Sequence, residues 1–187
     1  MTIAFIRHGQ TDWNAEGRMQ GSSDIPLNDT GRQQARDAVD VLAGTDWDVI
    51  VSSPLSRARE TAQIVADDLG IRLGRSYDLL IERDYGAGEG LTLAEIDARW
   101  TDRQYPGLEP LDSVVARGTG ALQQIADEYP GKNVVIVCHG TIIRYTLAAL
   151  ADRAFDHILN GSVSTVDLVD GAWRILTVNG ETLESLV

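Results

Sequence analysis

Thr2-Ile3-Ala4-Phe5-Ile6-Arg7-His8-Gly9 opens the chain with an apolar run that stops at an arginine, a histidine and a glycine. A run of that length, bounded by polar residues, suits a strand buried on both faces and is too short for a core helix. Two further runs have the same form: Trp47 to Ser52, continued by Ser53-Pro54-Leu55-Ser56-Arg57, and Asn133 to His139, continued by Gly140-Thr141. Between them lie longer stretches with helical spacing. Asn28 or Thr30 caps one whose apolar positions Ala35, Val39 and Leu42 recur at three to four residues, with Gly44 at its end. Pro54 suits the first turn of the next, whose inward stripe is Ala58, Thr61, Ala62, Val65 and Leu69 before Gly70. A third helix runs from near Leu111 to Tyr129, stopped by Pro130-Gly131, and a fourth follows His139 through Ala151. Strands alternating with helices predict an α/β fold of three αβα layers, with a mostly parallel central sheet and helices on both faces. Ser162 to Val169 and Ala172 to Val178 form a hairpin, because the joining Asp170-Gly171 supplies the positive φ angles of a type I′ turn.

The 187 residues fit one domain, 1–187, able to bury about 70% of its unfolded surface. An apolar fraction of 43% and a charged fraction of 24% exclude a disordered or fibrous chain. Sixteen Lys plus Arg against twenty-eight Asp plus Glu give a net charge of -12, a field that repels nucleic acid and anionic lipid. Neither nucleic acid nor membrane is an expected partner. The longest purely apolar run, Val134 to Cys138, cannot cross a bilayer, and no secretion signal opens the chain. The lone Cys138 can form neither an internal disulfide nor a thiolate cluster, which makes the reducing cytoplasm the default compartment. Residues 85–110 are the least regular, with glycines and prolines around a short helix at Thr92 to Trp100, and are expected to form a surface flap over a site.

In a doubly wound sheet, ligands bind beyond the carboxyl ends of the strands. There the sequence places Arg7-His8-Gly9 with Thr11 and Asn14, then Ser53 to Arg57, then His139-Gly140. Guanidinium forks bind phosphate or carboxylate oxygens in pairs and stay charged at any working pH. Arg7 and Arg57 beside two imidazoles, built against an acidic background, therefore predict an anion pocket. The same guanidinium groups repel a divalent cation, so no metal is expected, and no cofactor. Cys138 and His139 are neighbours on a strand, point to opposite faces and cannot act as a thiol–imidazole pair. His157 reads as a solvated loop side chain without a role.

The stretch Ile6-Arg7-His8-Gly9-Gln10-Thr11-Asp12-Trp13-Asn14 resembles the Arg-His-Gly signature of the histidine phosphatase superfamily, the phosphoglycerate mutase-like proteins. Ser53 to Ala62, Glu82-Arg83-Asp84-Tyr85-Gly86 and His139-Gly140 resemble that family's remaining blocks in the same order, and Asn160 to Ser164 is similar to its tail. The resemblance covers Thr2 to about Ala148. It implies that His8 is a nucleophile forming a phosphohistidine, a task suited to a neutral imidazole whose other nitrogen donates to a backbone carbonyl. Arg7, Arg57, Asn14 and Thr11 are then the phosphate-binding residues, joined by a protonated His139, and Glu82 is the acid and base. Arriving substrate must keep Glu82 protonated, since arginines lower its pKa while burial and a phosphate dianion raise it. Arg59 and Arg83, beside the assigned residues within these blocks, are candidates either for substrate contact or for solvated charge.

The implied activity is a metal-independent phosphomonoesterase acting on a small phosphorylated metabolite. One alternative is a cofactor-dependent phosphoglycerate mutase. Mutases of the family resemble a longer protein with extra basic residues between the Glu82 and His139 blocks, whereas this interval holds only Arg83, Arg99, Arg103, Arg117 and Lys132. A second is a non-catalytic phosphate-ligand binding module, against which the presence of His8, Glu82 and His139 stands.

Overall fold

A computed structural model describes residues 1–183; the last four positions of the expected domain, 184–187, lie outside the described residues. In chain order the elements are β1 (Thr2–Arg7), α1 (Asp12–Ala15), α2 (Asp29–Leu42), β2 (Val49–Ser52), α3 (Ser56–Leu69) and β3 (Arg72–Ser76). Then follow α4 (Leu93–Arg99), α5 (Leu111–Glu128), β4 (Val134–Cys138), α6 (Gly140–Ala151), β5 (Val163–Val169), β6 (Ala172–Val178) and β7 (Glu181–Thr182). The strands form one sheet in the order β3-β2-β4-β1-β5-β6-β7. Its first four members pair in parallel, and β5, β6 and β7 extend it antiparallel from the free side of β1.

Alternation along the central strands divides the core. Ile3, Phe5, Val134 and Ile136 cluster with Leu122 and Ile125 of α5 and Ile142 and Leu147 of α6. Ala4, Ile6, Val135 and Val137 cluster with Ala38 and Leu42 of α2 and Ala62 and Val65 of α3. Each fully buried Val, Leu or Ile contributes roughly 1.5–3 kcal/mol of transfer free energy, so near-continuous apolar strands are held on both faces. The expected three-layer αβα architecture is the observed one.

Some boundaries differ, each for a local reason. Trp47 does not join β2, because its indole N–H donates to Leu42 O at 2.9 Å and closes the end of α2. Pro54 precedes its helix: α3 begins at Ser56 and lacks a cap from Leu55. Asp24 supplies that cap from a distant loop, its Oδ1 accepting from the Ser56 amide and hydroxyl at 2.8 Å each. The strand β3, Arg72-Leu73-Gly74-Arg75-Ser76, was not expected; it is a half-exposed edge strand with two arginines and a glycine. At the hairpin, Asp170 and Gly171 have φ of 51° and 78°, as a type I′ turn requires.

The loop leaving β1 is fixed by a backbone-to-backbone approach. A Cβ on Gly9 would lie 2.1 Å from Gly31 O, and one on Gly31 2.1 Å from Gln10 O. Only glycine at both positions lets the first turn of α2 rest on this loop.

Candidate active site

Backbone bonds carry the parallel ladder one residue past each strand. His8 N donates to Cys138 O at 2.9 Å and Ser53 N to Val137 O at 2.9 Å, so the residues after β1, β4 and β2 leave the sheet side by side. The rings of His8 and His139 consequently meet edge to face, with centroids 5.1 Å apart. Arg57, in the first turn of α3, is fully buried, and its Nε lies 3.3 Å from His8 Nε2. Its two terminal nitrogens donate to Gly21 O at 2.7 Å and Ser23 O at 2.8 Å, which orients the fork. Arg7 donates through Nη1 to Ile158 O at 2.6 Å and lies against Gly140, where a Cβ would come within 3.1 Å of its Nε. The four side chains read from three distant blocks thus converge at the carboxyl ends of the parallel strands.

Electrostatics fix the protonation of the two rings. Burial, then Arg57 and Arg7, push His8 well below its ordinary pKa. Its Nδ1 is 2.7 Å from Gly9 O. A carbonyl only accepts, so the proton of the neutral ring sits on Nδ1 and Nε2 presents a lone pair. His139 is pushed down likewise, by burial, then Arg57, His8, Arg7 and Arg117. Without a bound anion, cationic neighbours thus oppose the protonated His139 expected from sequence and favour a neutral ring. Its Nε2 is 2.7 Å from Ser53 Oγ, and the Ser53 hydroxyl can donate to that nitrogen when the ring carries its proton on Nδ1. In that tautomer Nδ1 keeps an N–H. Arg7 Nε and His139 Nδ1 are both buried with no hydrogen-bond partner among the described residues, two donors of the kind an anion would satisfy. Burial lowers Arg57 to about 10, which still leaves it charged at neutral pH.

Glu82 reaches the same pocket from the segment after β3. Its Oε2 accepts from Thr141 N at 2.9 Å, and its Oε1 from Arg83 N at 2.7 Å and Ile142 N at 3.3 Å. It therefore caps α6, whose own N-cap residue, His139, supplies no side-chain bond. Burial raises the Glu82 pKa, against the backbone amides of Thr141 and Arg83 and the charges of Arg7 and Arg57, so burial already favours the protonated form.

The remaining predicted residues divide. Thr11 is fully buried and closes a capping box with Asn14, while its hydroxyl also bonds Gln20 at 2.9 Å. Contrary to expectation, it supports the loop instead of offering a hydroxyl to a ligand. Asn14 Oδ1 is taken by Thr11 and by Asn160 Nδ2 at 3.2 Å, leaving the Asn14 amide nitrogen able to donate. Asn160 Nδ2 also holds His8 O at 3.0 Å. Arg59 is exposed, and Arg83 donates through Nε to Glu109 O at 2.8 Å. His157 is exposed as expected, yet it lines a cavity of about 100 Å³ together with Arg7, Glu82 and Thr141. The 85–110 stretch packs onto the site, with the Tyr85 hydroxyl 2.6 Å from Thr141 Oγ1 and Glu89 accepting the Ser22 and Ser23 amides. Gly21, Ser23, Ser53 and Asn160 received no role from sequence; each acts through backbone or neutral polar contacts with residues far along the chain. Among the described residues no group of three His, Cys, Asp or Glu is placed to hold a metal ion, and no helix is long and apolar enough to cross a membrane.

Comparison with known proteins agrees with this geometry. Residues 3–181 match the family model of the histidine phosphatase superfamily (branch 1). The chain is 37% identical over 181 residues to the uncharacterized phosphatase PhoE of Bacillus subtilis, covering 95% of this chain and 93% of that one. It is 34% identical over 188 residues to a metal-independent phosphoserine phosphatase of Arabidopsis thaliana, covering 92% and 79%. The structure of YhfR from Bacillus stearothermophilus superposes with a TM-score of 0.85 at 31% identity, covering 97% of each chain. With two imidazoles and two guanidinium groups gathered at the ends of a parallel sheet, and with this match over nearly its whole length, the chain belongs to the histidine phosphatase superfamily.

Proposed function

We propose that this phosphoric monoester hydrolase is a metal-independent enzyme that cleaves a small phosphate ester through a phosphohistidine on His8 Nε2. The observation that carries the proposal is the His8 ring itself, held as the Nδ1–H tautomer by Gly9 O with Nε2 toward Arg57. In the first step Nε2 attacks phosphorus and the ester P–O bond breaks. The departing alkoxide takes the proton of Glu82, which becomes a carboxylate held by the amides at the start of α6. In the second step water attacks the phosphoryl group, its proton returns to Glu82, and the N–P bond breaks with its electrons to Nε2. Arg7, Arg57 and the Nδ1–H of His139 donate to the phosphoryl oxygens, with Asn14 Nδ2 as a neutral donor.

The mutase alternative loses support from the side chains themselves. Of the five basic residues between Glu82 and His139, four are engaged: Arg117 is paired with Glu109, Arg103 with Asp97 and Lys132 with Asp48, and Arg83 donates to Glu109 O. With their donors committed within the fold, these four are poorly disposed to bind a doubly phosphorylated cofactor.

The test measures phosphate release under chelator from nitrophenyl phosphate and from an alkyl phosphate. His8→Ala abolishes release from both. Glu82→Gln lowers kcat on the alkyl ester by about 10²–10⁴-fold and on the nitrophenyl ester by under about tenfold, because a nitrophenolate departs without a proton. Equal losses on both substrates would remove Glu82 from the acid role, and release that requires an added metal would end the proposal.

A further inference from the structure

The segment that carries Glu82 is held by an ion pair that meets its backbone, with Arg117 Nη2 3.5 Å from Glu82 O, and that makes no hydrogen bond to the Glu82 carboxyl. Between β3 and α4 the chain has only short 3₁₀ turns, so no strand ladder fixes Glu82 as it fixes His8. Arg117, on α5, donates through Nη1 to Leu79 O and Ile81 O at 2.8 Å each. Its other nitrogens grip Glu109 as a fork, Nε to Oε1 and Nη2 to Oε2 at 2.9 Å each. The Glu109 carboxylate also accepts the Asp84 amide at 3.1 Å, and Glu109 O accepts Arg83 Nε at 2.8 Å. The bonds thus fall on both sides of Glu82, at 79 and 81 before it and at 83 and 84 after it. Both partners are largely enclosed, with side-chain exposures of 22% and 14%. Burial alone would raise the Glu109 carboxyl, but Arg117, Ser113 and the Asp84 amide together hold it at about 2, so the pair stays ionised wherever the enzyme works.

We infer that Arg117 and Glu109 are positioning residues for the general acid: their ion pair sets where the Glu82 carboxyl lies relative to Arg7 and the start of α6. The inference rests on the acid role given to Glu82 above. A fork has the geometry to bridge two carbonyls and one carboxylate at once, whereas a lysine ammonium cannot span all three. Loosening it lets Glu82 shift by a fraction of an ångström, which is enough to weaken proton transfer while the histidines and arginines on the sheet stay in place.

The experiment compares kcat/KM for an alkyl phosphate with that for nitrophenyl phosphate in Arg117→Lys, Glu109→Gln and Glu82→Gln. Arg117→Lys and Glu109→Gln each lower the alkyl-to-aryl ratio by at least about tenfold. Added to Glu82→Gln, either one changes the ratio by less than about twofold, because both act through the same proton. A purely structural role would lower both substrates together and leave the ratio fixed, and that result overturns the inference. If Arg117→Lys does not fold, Glu109→Gln, which keeps the side-chain shape, must still move the ratio. A ratio that falls in Glu82→Gln but in neither positioning variant refutes this inference alone. A ratio unmoved in Glu82→Gln refutes the acid role and this inference with it.

Discussion

Two buried imidazoles make the stability of this fold depend on pH in a direction set by their burial. His8 is 3% exposed and His139 0%, and both are held neutral by burial first and by the neighbouring guanidinium groups second. In the unfolded chain each ring regains a pKa of about 6.5. Below that pH the unfolded state binds a proton per ring that the folded state does not, so stability falls with acidification and is fully present above the unfolded pKa. For as long as a folded ring stays neutral, the slope contributed approaches about 1.4 kcal/mol per pH unit, or about 2.7 for the pair. Carboxylates held low by their partners add slope at more acidic pH, and relief of the -12 net charge opposes it, so comparison with variants isolates the rings. His8→Asn retains an amide N–H near Nδ1 to meet Gly9 O, and His139→Gln retains a polar atom near Nε2 to meet Ser53. Urea denaturation of the three proteins across about pH 7 to 5 should show the wild type losing its advantage over each variant by up to about 1.4 kcal/mol per unit below pH 6.5. Parallel stability curves would mean that the folded rings titrate normally, and would refute the neutral, cation-flanked pocket.

Gly31→Ala carries two opposed effects: alanine gains about 1 kcal/mol of helix propensity, while its Cβ meets a backbone oxygen at 2.1 Å. The clash dominates, with a net loss of at least about 2 kcal/mol by denaturant titration; a variant as stable as wild type would show that the loop after β1 yields freely. Arg57→Lys keeps the charge but cannot reach Gly21 O, Ser23 O and His8 Nε2 together, and kcat on nitrophenyl phosphate should fall by about 10²-fold or more. A loss under threefold would reduce Arg57 to a general source of positive potential. Because burial raises the Glu82 pKa, kcat on an alkyl ester should decline as pH rises through that raised value, and a pH-independent profile would contradict proton donation.

The strands that build the site were plain in the amino-acid order because β1 and β4 are buried on both faces and read as unbroken apolar runs. The type I′ hairpin was equally plain from Asp170-Gly171. β3 was not, since a half-exposed edge strand with Arg72, Gly74 and Arg75 has neither a buried run nor clean alternation. Convergence of His8, Arg57 and His139 followed from their places after strands of one parallel sheet. What could not be read were the supports: Asp24 capping α3, Glu82 capping α6, and Gly21 and Ser23 aiming Arg57. These join residues tens of positions apart through carbonyls and amides, which every residue possesses and no residue type advertises. Thr11 misled for the related reason that a hydroxyl beside a signature motif suits a ligand and an internal cap equally well.

The proposed nucleophile and proton donor are mounted on different kinds of scaffold: His8 on the rim of a stiff ladder, Glu82 on an irregular strap tied to α5. Under the proposed mechanism, capturing a phosphoryl group and accommodating the alcohol that leaves are therefore mechanically separable. Substitutions along residues 79–84, or at their anchor on α5, can retune which alcohols depart readily while the phosphoryl cradle is left intact. A protein engineer seeking a new substrate would do well to diversify the strap and leave the sheet alone.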